Sequence, residues 1–206
     1  MDSVTVAVLD CFSPIIAGKL LSKLPRGWTL VPIGRTTFKE RKTAIKDATA
    51  ALVMGAPLNE RLLVEADNLL YIQKLGAGVD NIDLNYCREH KIGVGRLNAG
   101  NAIPVAEHTL MMMLAASRQL VNFDKSTRAG SWQKEIARGS NQSVHGKTVG
   151  IVGLGAIGRQ VAKLLCPFGV RLLYCDPVPA PKKLHRTLNL KKVDLDQILK
   201  LSDIIT

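Results

Sequence analysis

Residues 147–177, KTVGIVGLGAIGRQVAKLLCPFGVRLLYCDP, decide the fold. Residues 148–152 are a short apolar, β-branched run, and Gly153, Gly155 and Gly158 follow it at GxGxxG spacing. Over residues 156–168 apolar side chains recur at Ile157, Val161, Leu164, Leu165 and Phe168, the period of a helix. A second apolar run covers 170–174, with Asp176 at its end. A bare GxGxxG is a weak signal. Strand, glycine turn, helix, strand and acid inside some thirty residues make a strong one, and they predict a dinucleotide site. Gly153 permits the tight turn, Gly155 lets a pyrophosphate approach the backbone, and Gly158 lets helix and strand pack closely. The helix N-terminus then offers free N–H groups and a positive dipole end to the phosphates. Asp176, 18 residues after Gly158, stands where a carboxylate can accept from a ribose diol.

Outward from that unit, composition narrows the options. Only 4% of residues are aromatic, so the core is aliphatic. The apolar stretch 110–116 falls short of the roughly 20 residues of a membrane span. The N-terminus begins directly on a strand-like run, with no basic, apolar leader. Cys11, Cys87, Cys166 and Cys175 show no metal-binding spacing. They are expected to be buried free thiols, which suits a cytoplasmic protein. The formal charge is +11: residues 1–100 carry 13 Lys and Arg against 10 acids, and residues 101–206 carry 15 against 7. The excess concentrates at Lys182, Lys183, Arg186, Lys191 and Lys192, with no interleaved aromatics. A solvated basic face near an anionic cofactor accounts for it better than a nucleic-acid surface does.

The first hundred residues alternate between strand and helix. Strands are expected at 4–9, 28–33, 51–54, 69–75 and 92–94, and helices at 14–24, 38–48, 59–66 and 83–90. This βαβα order implies a parallel, doubly wound α/β sheet. Gly76, Ala77 and Gly78 directly follow a strand, where the turn's N–H groups could hold an anion such as a carboxylate. Residues 93–100 look like a hinge. Pro104 then opens a long helix, 105–128, apolar over most of its surface and expected to be buried on several sides. Met111, Met112 and Met113 read as core filler. A connector starts at 131, a polar loop covers 139–146, and a helix at 194–201 leads into a strand at 203–206. The chain thus holds two doubly wound parallel-sheet domains, 1–100 and 101–206. The second contains one mononucleotide half and the start of the next strand.

Three blocks, LGAGVDNIDLNYCREHKIGV (75–94), NAIPVAEHTLMMMLAASRQL (101–120) and GKTVGIVGLGAIGRQVAKLLCPFGVRLLYCDP (146–177), give the chain a close resemblance to the D-isomer-specific 2-hydroxyacid dehydrogenases. Phosphoglycerate dehydrogenase and glyoxylate/hydroxypyruvate reductase belong to that family. The resemblance implies a flavodoxin-like substrate domain, an incomplete Rossmann NAD domain and a cleft between them. It places Gly76, Ala77 and Gly78 at the carboxylate of a small 2-keto or 2-hydroxy acid. It puts Val105 near the nicotinamide, Ala156 and Ile157 over the pyrophosphate, and Asp176 on the ribose, selecting NAD over NADP. The 104–128 helix would serve as an interdomain and homodimer element. One departure is Arg96-Leu97-Asn98-Ala99, where the family has Asn-Thr-Pro-Gly.

The family's catalytic Arg, Glu and His are expected downstream of Thr206, so no residue here is assigned a catalytic role, and the 206 residues alone are expected to be inactive. Glu107 and His108 are adjacent on a helix and point about 100° apart, so they do not form an acid–base pair. A non-catalytic, NAD-responsive corepressor-like module is the alternative, supported only by the basic segment 182–192.

Overall fold

A computed structural model describes residues 4–98 and 100–206. Ala99, the last residue of the departure at 96–99, lies outside them. The chain divides after Asn98 into two compact units.

The first unit runs β1 (Val4–Val8), α1 (Pro14–Leu21), β2 (Trp28–Pro32), α2 (Phe38–Ile45), β3 (Ala50–Val53), α3 (Glu60–Leu63), β4 (Tyr71–Lys74), α4 (Leu84–Glu89) and β5 (Gly93–Arg96). Its sheet has the order β2-β1-β3-β4-β5, and every pairing is parallel. That is the flavodoxin-like order. The inner strands are near-continuous apolar runs because both faces are covered, and Ala7, Leu9, Ala51, Val53 and Ile72 are fully buried. Ser13 caps α1 by accepting from Ile16 N at 3.4 Å, with Pro14 opening the helix, and Asp83 caps α4 through Asn85 N and Tyr86 N.

Several elements stop short of their expected ends. α1 ends at Leu21, before Pro25, whose ring disfavours helix in the residue ahead of it. α3 is a single turn. β5 includes Gly93–Arg96, so the expected hinge loses half its length. Gly95 is required there: Tyr71 on β4 crosses to Gln73 beneath it, and a Cβ on Gly95 would overlap the Tyr71 hydroxyl.

The second unit runs α5 (Ala102–Ser117), α6 (Leu120–Arg128), α7 (Lys134–Ser140), β6 (Thr148–Val152), α8 (Ala156–Leu165), β7 (Arg171–Cys175), α9 (Lys182–Leu188), β8 (Leu190–Lys192), α10 (Leu195–Leu201) and β9 (Ile204–Ile205). Its parallel sheet has the order β8-β7-β6-β9, the first half of a Rossmann sheet. Val149, Tyr174, Ala162 and Leu165 pack at its centre, with Ala106 of α5 against them.

The single helix expected over 104–128 is two. The chain breaks at Gln119, which is left-handed at φ 48°, with no Gly or Pro to announce it. α5 also starts before Pro104. A proline in the first helical turn loses no hydrogen bond, because those N–H groups have no partner within the helix. Burial on several sides is not found either. α5 buries only Ala102, Ala106 and Met113, and α6 buries nothing. Met111 and Met112 are exposed, leaving Met113 as the one core filler of the three. Of the cysteines only Cys87 is buried.

α8 ends at Leu165 rather than Phe168. Pro167 has no N–H to continue the ladder, and a 3-10 turn, Cys166–Phe168, follows. The expected loop from 139 begins two residues later, because α7 extends through Ser140. The basic segment 182–192 contains an unforeseen helix and strand, α9 and β8. Leu188 and Leu190 are turned inward and all five cations lie on the exposed side. Among the described residues no helix is long and apolar enough to cross a membrane.

Candidate functional site

The glycine turn of the second unit is built by close approach. Gly153 takes φ +92°, a left-handed conformation that favours glycine, and its N–H donates to Cys175 O at 2.8 Å. A Cβ at Gly158 would overlap the Gly153 carbonyl oxygen and lie 3.3 Å from Ile151 Cγ2. Gly155 is the opposite case: nothing lies within 4 Å of where its Cβ would be. It caps α8 without a side-chain hydrogen bond. The first-turn N–H groups at Ala156 and Ile157 therefore lack an intrahelical acceptor and stay available to an anion. Arg159 ties the turn to the helix, its Nε donating to Leu154 O at 2.9 Å.

Asp176 is drawn to the same turn. Its Oδ2 accepts from Leu154 N and its Oδ1 from Val178 N, both at 2.7 Å. The Leu154 and Val178 N–H groups hold its carboxyl below the usual carboxylate range, with Lys192 and Arg159 adding to the effect. Asp176 is therefore a fixed anion, with a second lone pair free on each oxygen. Gly153, Gly155, Ala156, Ile157, Gly158 and Asp176 thus form one constellation. An open position over Gly155, unpaired N–H groups and an ionised acid beside them match the phosphates and ribose of a dinucleotide. Val105 is half-buried on α5, the helix that packs along α8 in the same unit.

The first unit carries the other expected residues. Ala77 and Gly78 are exposed in the turn after β4, and among the described residues the N–H groups of Gly76, Ala77 and Gly78 meet no protein acceptor. The turn's carbonyls are used: Arg96 Nη1 donates to Ala77 O at 3.2 Å and Leu97 N to Gly76 O at 3.0 Å. These two bonds fasten the turn through its carbonyls.

Sequence reasoning missed what lies beneath it. Lys74 is 8% exposed, and its Nζ donates to Met54 O and, at 2.6 Å, to Asn81 Oδ1. Asn81 Nδ2 donates to Ala56 O at 2.6 Å. Asp10, just after β1, accepts from Met54 N at 2.6 Å and from Gly55 N and Ala56 N at 2.9 Å. The carboxyl ends of β1, β3 and β4 are thereby laced together around the buried Lys74. A lysine within the largely apolar run 69–75, and an acid just after the apolar run of β1, were the available signals.

Three of the four histidines make local contacts. His90 stacks on Tyr86, with Nδ1 on Tyr86 O. His145 Nδ1 meets Phe168 O, and both ring nitrogens of His185 are engaged. His108 is exposed on α5. Burial pushes the Cys87 thiol up, away from the reactive thiolate. Among the described residues no cluster of metal ligands exists.

Residues 110–206 match the family model for the D-isomer specific 2-hydroxyacid dehydrogenase, NAD binding domain. The D-3-phosphoglycerate dehydrogenase of Archaeoglobus fulgidus is 36% identical over 149 residues, 72% of this chain and 28% of that protein. The NAD-dependent formate dehydrogenase from Staphylococcus aureus, solved in complex with NAD, has a TM-score of 0.81 at 26% identity, covering 98% of this chain and 63% of the other. D-lactate dehydrogenase from Escherichia coli follows with a TM-score of 0.79 at 28% identity, over 98% and 64%. Among curated relatives the chain spans 28% of the length of the Archaeoglobus fulgidus protein and 54% of that of a relative from Staphylococcus haemolyticus, 36% identical.

Proposed function

The chain belongs to the D-isomer-specific 2-hydroxyacid dehydrogenases, and we propose that the whole protein transfers a hydride between the nicotinamide of NAD and a small D-2-hydroxy or 2-keto acid. The observation that carries this is the β6–α8–β7 unit, with Gly155 open and Asp176 ionised on Leu154 N. NAD, when bound, supplies the hydride chemistry. The protein's own groups bind and orient. Ala156 and Ile157 N–H groups hold the pyrophosphate, and the spare lone pairs of Asp176 accept from the ribose hydroxyls. A 2′-phosphate would meet the Asp176 charge, so NAD is preferred to NADP. Val105 lines the nicotinamide end.

In the first unit the free N–H groups of Gly76, Ala77 and Gly78 take the substrate carboxylate, and the Lys74 charge below favours the anion. Residues 1–100 then act as the substrate domain and 101–206 as the NAD domain. The protein works as a homodimer, with α5 and α6 at the interface.

The test is NADH oxidation by the full-length protein against pyruvate, glyoxylate, hydroxypyruvate and phosphohydroxypyruvate. Turnover of at least one, with NADPH markedly poorer, is expected. No turnover of any 2-keto acid, together with intact NAD binding, would sink the enzymatic assignment. The 206 residues by themselves should bind NAD without turnover, since none of their histidines is free at a strand's carboxyl end.

A further inference from the structure

The segment after Asp176 reads Pro177-Val178-Pro179-Ala180-Pro181. Three of its five residues are prolines, with no N–H to donate. Only Val178 and Ala180 have backbone donors, and both are taken. Val178 N donates to Asp176 Oδ1 at 2.7 Å, and Ala180 N donates to the Tyr174 hydroxyl at 3.0 Å. The Pro181 carbonyl receives Leu184 N at 2.9 Å and His185 N at 3.2 Å from the first turn of α9. Both backbone donors of the loop after Asp176 are therefore engaged, and its last carbonyl is joined to α9.

Tyr174 is fully buried, and its hydroxyl also meets His185 Nε2 at 2.7 Å. His185 Nδ1 lies 2.9 Å from Leu190 O. Donor and acceptor counting leaves one arrangement for the neutral ring. A carbonyl can only accept, so Nδ1 carries the proton. The Tyr174 oxygen already accepts from Ala180, so its own hydrogen goes to Nε2. One directed chain results: Ala180 N–H to Tyr174 Oη, Tyr174 O–H to His185 Nε2, and His185 Nδ1–H to Leu190 O. It crosses from the loop through β7 and α9 to β8. Each member is satisfied, and losing one strands its neighbours in a buried place.

We propose that Tyr174 and His185 are positioning residues for the adenosine ribose of the dinucleotide. They hold loop 177–181 so that Asp176 stays aimed by Val178 N and Leu154 N. This rests on the dinucleotide assignment above. Neither residue touches the ligand; both act through Asp176, by preorganising the loop that shapes its carboxylate. Their presence also explains why a histidine sits in the middle of the basic segment 182–192 with its ring turned inward onto Tyr174.

The experiment measures ADP-ribose binding by calorimetry at neutral pH in a double-mutant cycle. Tyr174→Phe should weaken ADP-ribose about fivefold, the effect of one lost hydrogen bond. In an Asp176→Asn background the same change should cost less than twofold, because the route through the acid is gone. His185→Leu should weaken binding to a similar degree. His185→Gln, whose amide oxygen can still accept from the Tyr174 hydroxyl, should recover part of it. If Tyr174→Phe does not fold, the two His185 variants decide the matter alone. Unchanged affinity in Tyr174→Phe and His185→Leu, or equal losses with and without the Asp176 carboxylate, would overturn the proposal and leave the dinucleotide assignment standing. No binding by the unaltered chain would overturn both.

Discussion

Gly158 lies against the Gly153 carbonyl so closely that a side chain at 158 has no room, whereas Gly155, between them, faces open space. The two absences of a Cβ therefore serve different ends, and substitution separates them. Gly158→Ala overpacks α8 on β6 and should cost about 2 kcal/mol of stability, lowering the melting temperature by several degrees. Gly155→Ala should melt with the native protein and yet bind NAD at least tenfold more weakly, roughly what a methyl group in the phosphate's place entails. Calorimetric melts and NAD titrations of both variants check this. A Gly155→Ala protein that binds NAD normally would place the pyrophosphate elsewhere.

Asp176 gives the second prediction. Asp176→Asn keeps the shape and an acceptor, but removes the charge that opposes a 2′-phosphate. NAD affinity should fall about tenfold and the preference for NAD over NADP should shrink by more, since two losses combine there. Fluorescence titration with both cofactors measures each. Equal affinities before and after would remove Asp176 from the ribose.

A second acid, Asp203, adds to the pH dependence of stability. Asp203 Oδ2 accepts from Thr148 N at 2.8 Å, fastening the segment before β9 to β6, and Lys147 stands 3.6 Å from its other oxygen. The Thr148 N–H, followed by Lys147, holds its carboxyl below the usual carboxylate range. The folded form thus binds the proton less readily than the unfolded one. Its stabilisation is present above the ordinary aspartate value near 3.9 and is lost as pH falls through the folded value. Melting temperature should decline below about pH 4. Asp203→Asn should melt lower at neutral pH and fall less steeply in acid. Parallel curves for the two proteins would show that Asp203 does not contribute.

How much of this was legible in the sequence depends on the physical scale of each feature. The order of the glycine unit was legible, because GxGxxG, its flanking runs and Asp176 are local in sequence, although its helix ends three residues earlier than its apolar period suggests. So was the strand–helix alternation that yields the parallel sheet of the first unit. The break at Gln119 was not: no glycine or proline marks it, and the apolar pattern of 110–121 runs across it. α9 and β8 were hidden because five cations dominate 182–192, and Leu184, Leu188 and Leu190 are too few to show a period against them. Lys74 was hidden for another reason. Its partners, Met54 O and Asn81, are 20 and 7 residues away, and only tertiary packing brings them together.

Lys74 supplies a prediction of its own. Lys74→Met keeps the volume of the stem but leaves Asn81 Oδ1 and Met54 O without their donor and removes the charge beneath the 76–78 turn. A loss of about 1–3 kcal/mol in stability is expected from the stranded acceptors. Oxamate, a 2-keto acid mimic, should bind to the NADH-loaded full-length protein at least fivefold more weakly, while NADH affinity stays unchanged. Undiminished oxamate binding would separate the buried cation from the carboxylate site.

The last prediction concerns assembly. α6, α7 and the connector between them leave Leu120, Val121, Trp132 and Ile136 uncovered, with Val121 76% and Trp132 78% exposed. Apolar side chains of this size, grouped on neighbouring short elements with no buried residue of their own, are what a partner surface looks like before it is covered. Trp is also among the residue types that carry most binding energy when buried at an interface. A second copy of the chain, offering the same face about a two-fold axis, would bury both sets at once. Sedimentation at tens of micromolar should therefore give twice the chain's mass. Val121→Glu adds a charge to the exposed first turn of α6 without changing any core residue, so it should give the monomer with an unchanged circular dichroism spectrum. A native protein that sediments as a monomer, or a Val121→Glu protein that remains dimeric, would move the interface away from α6.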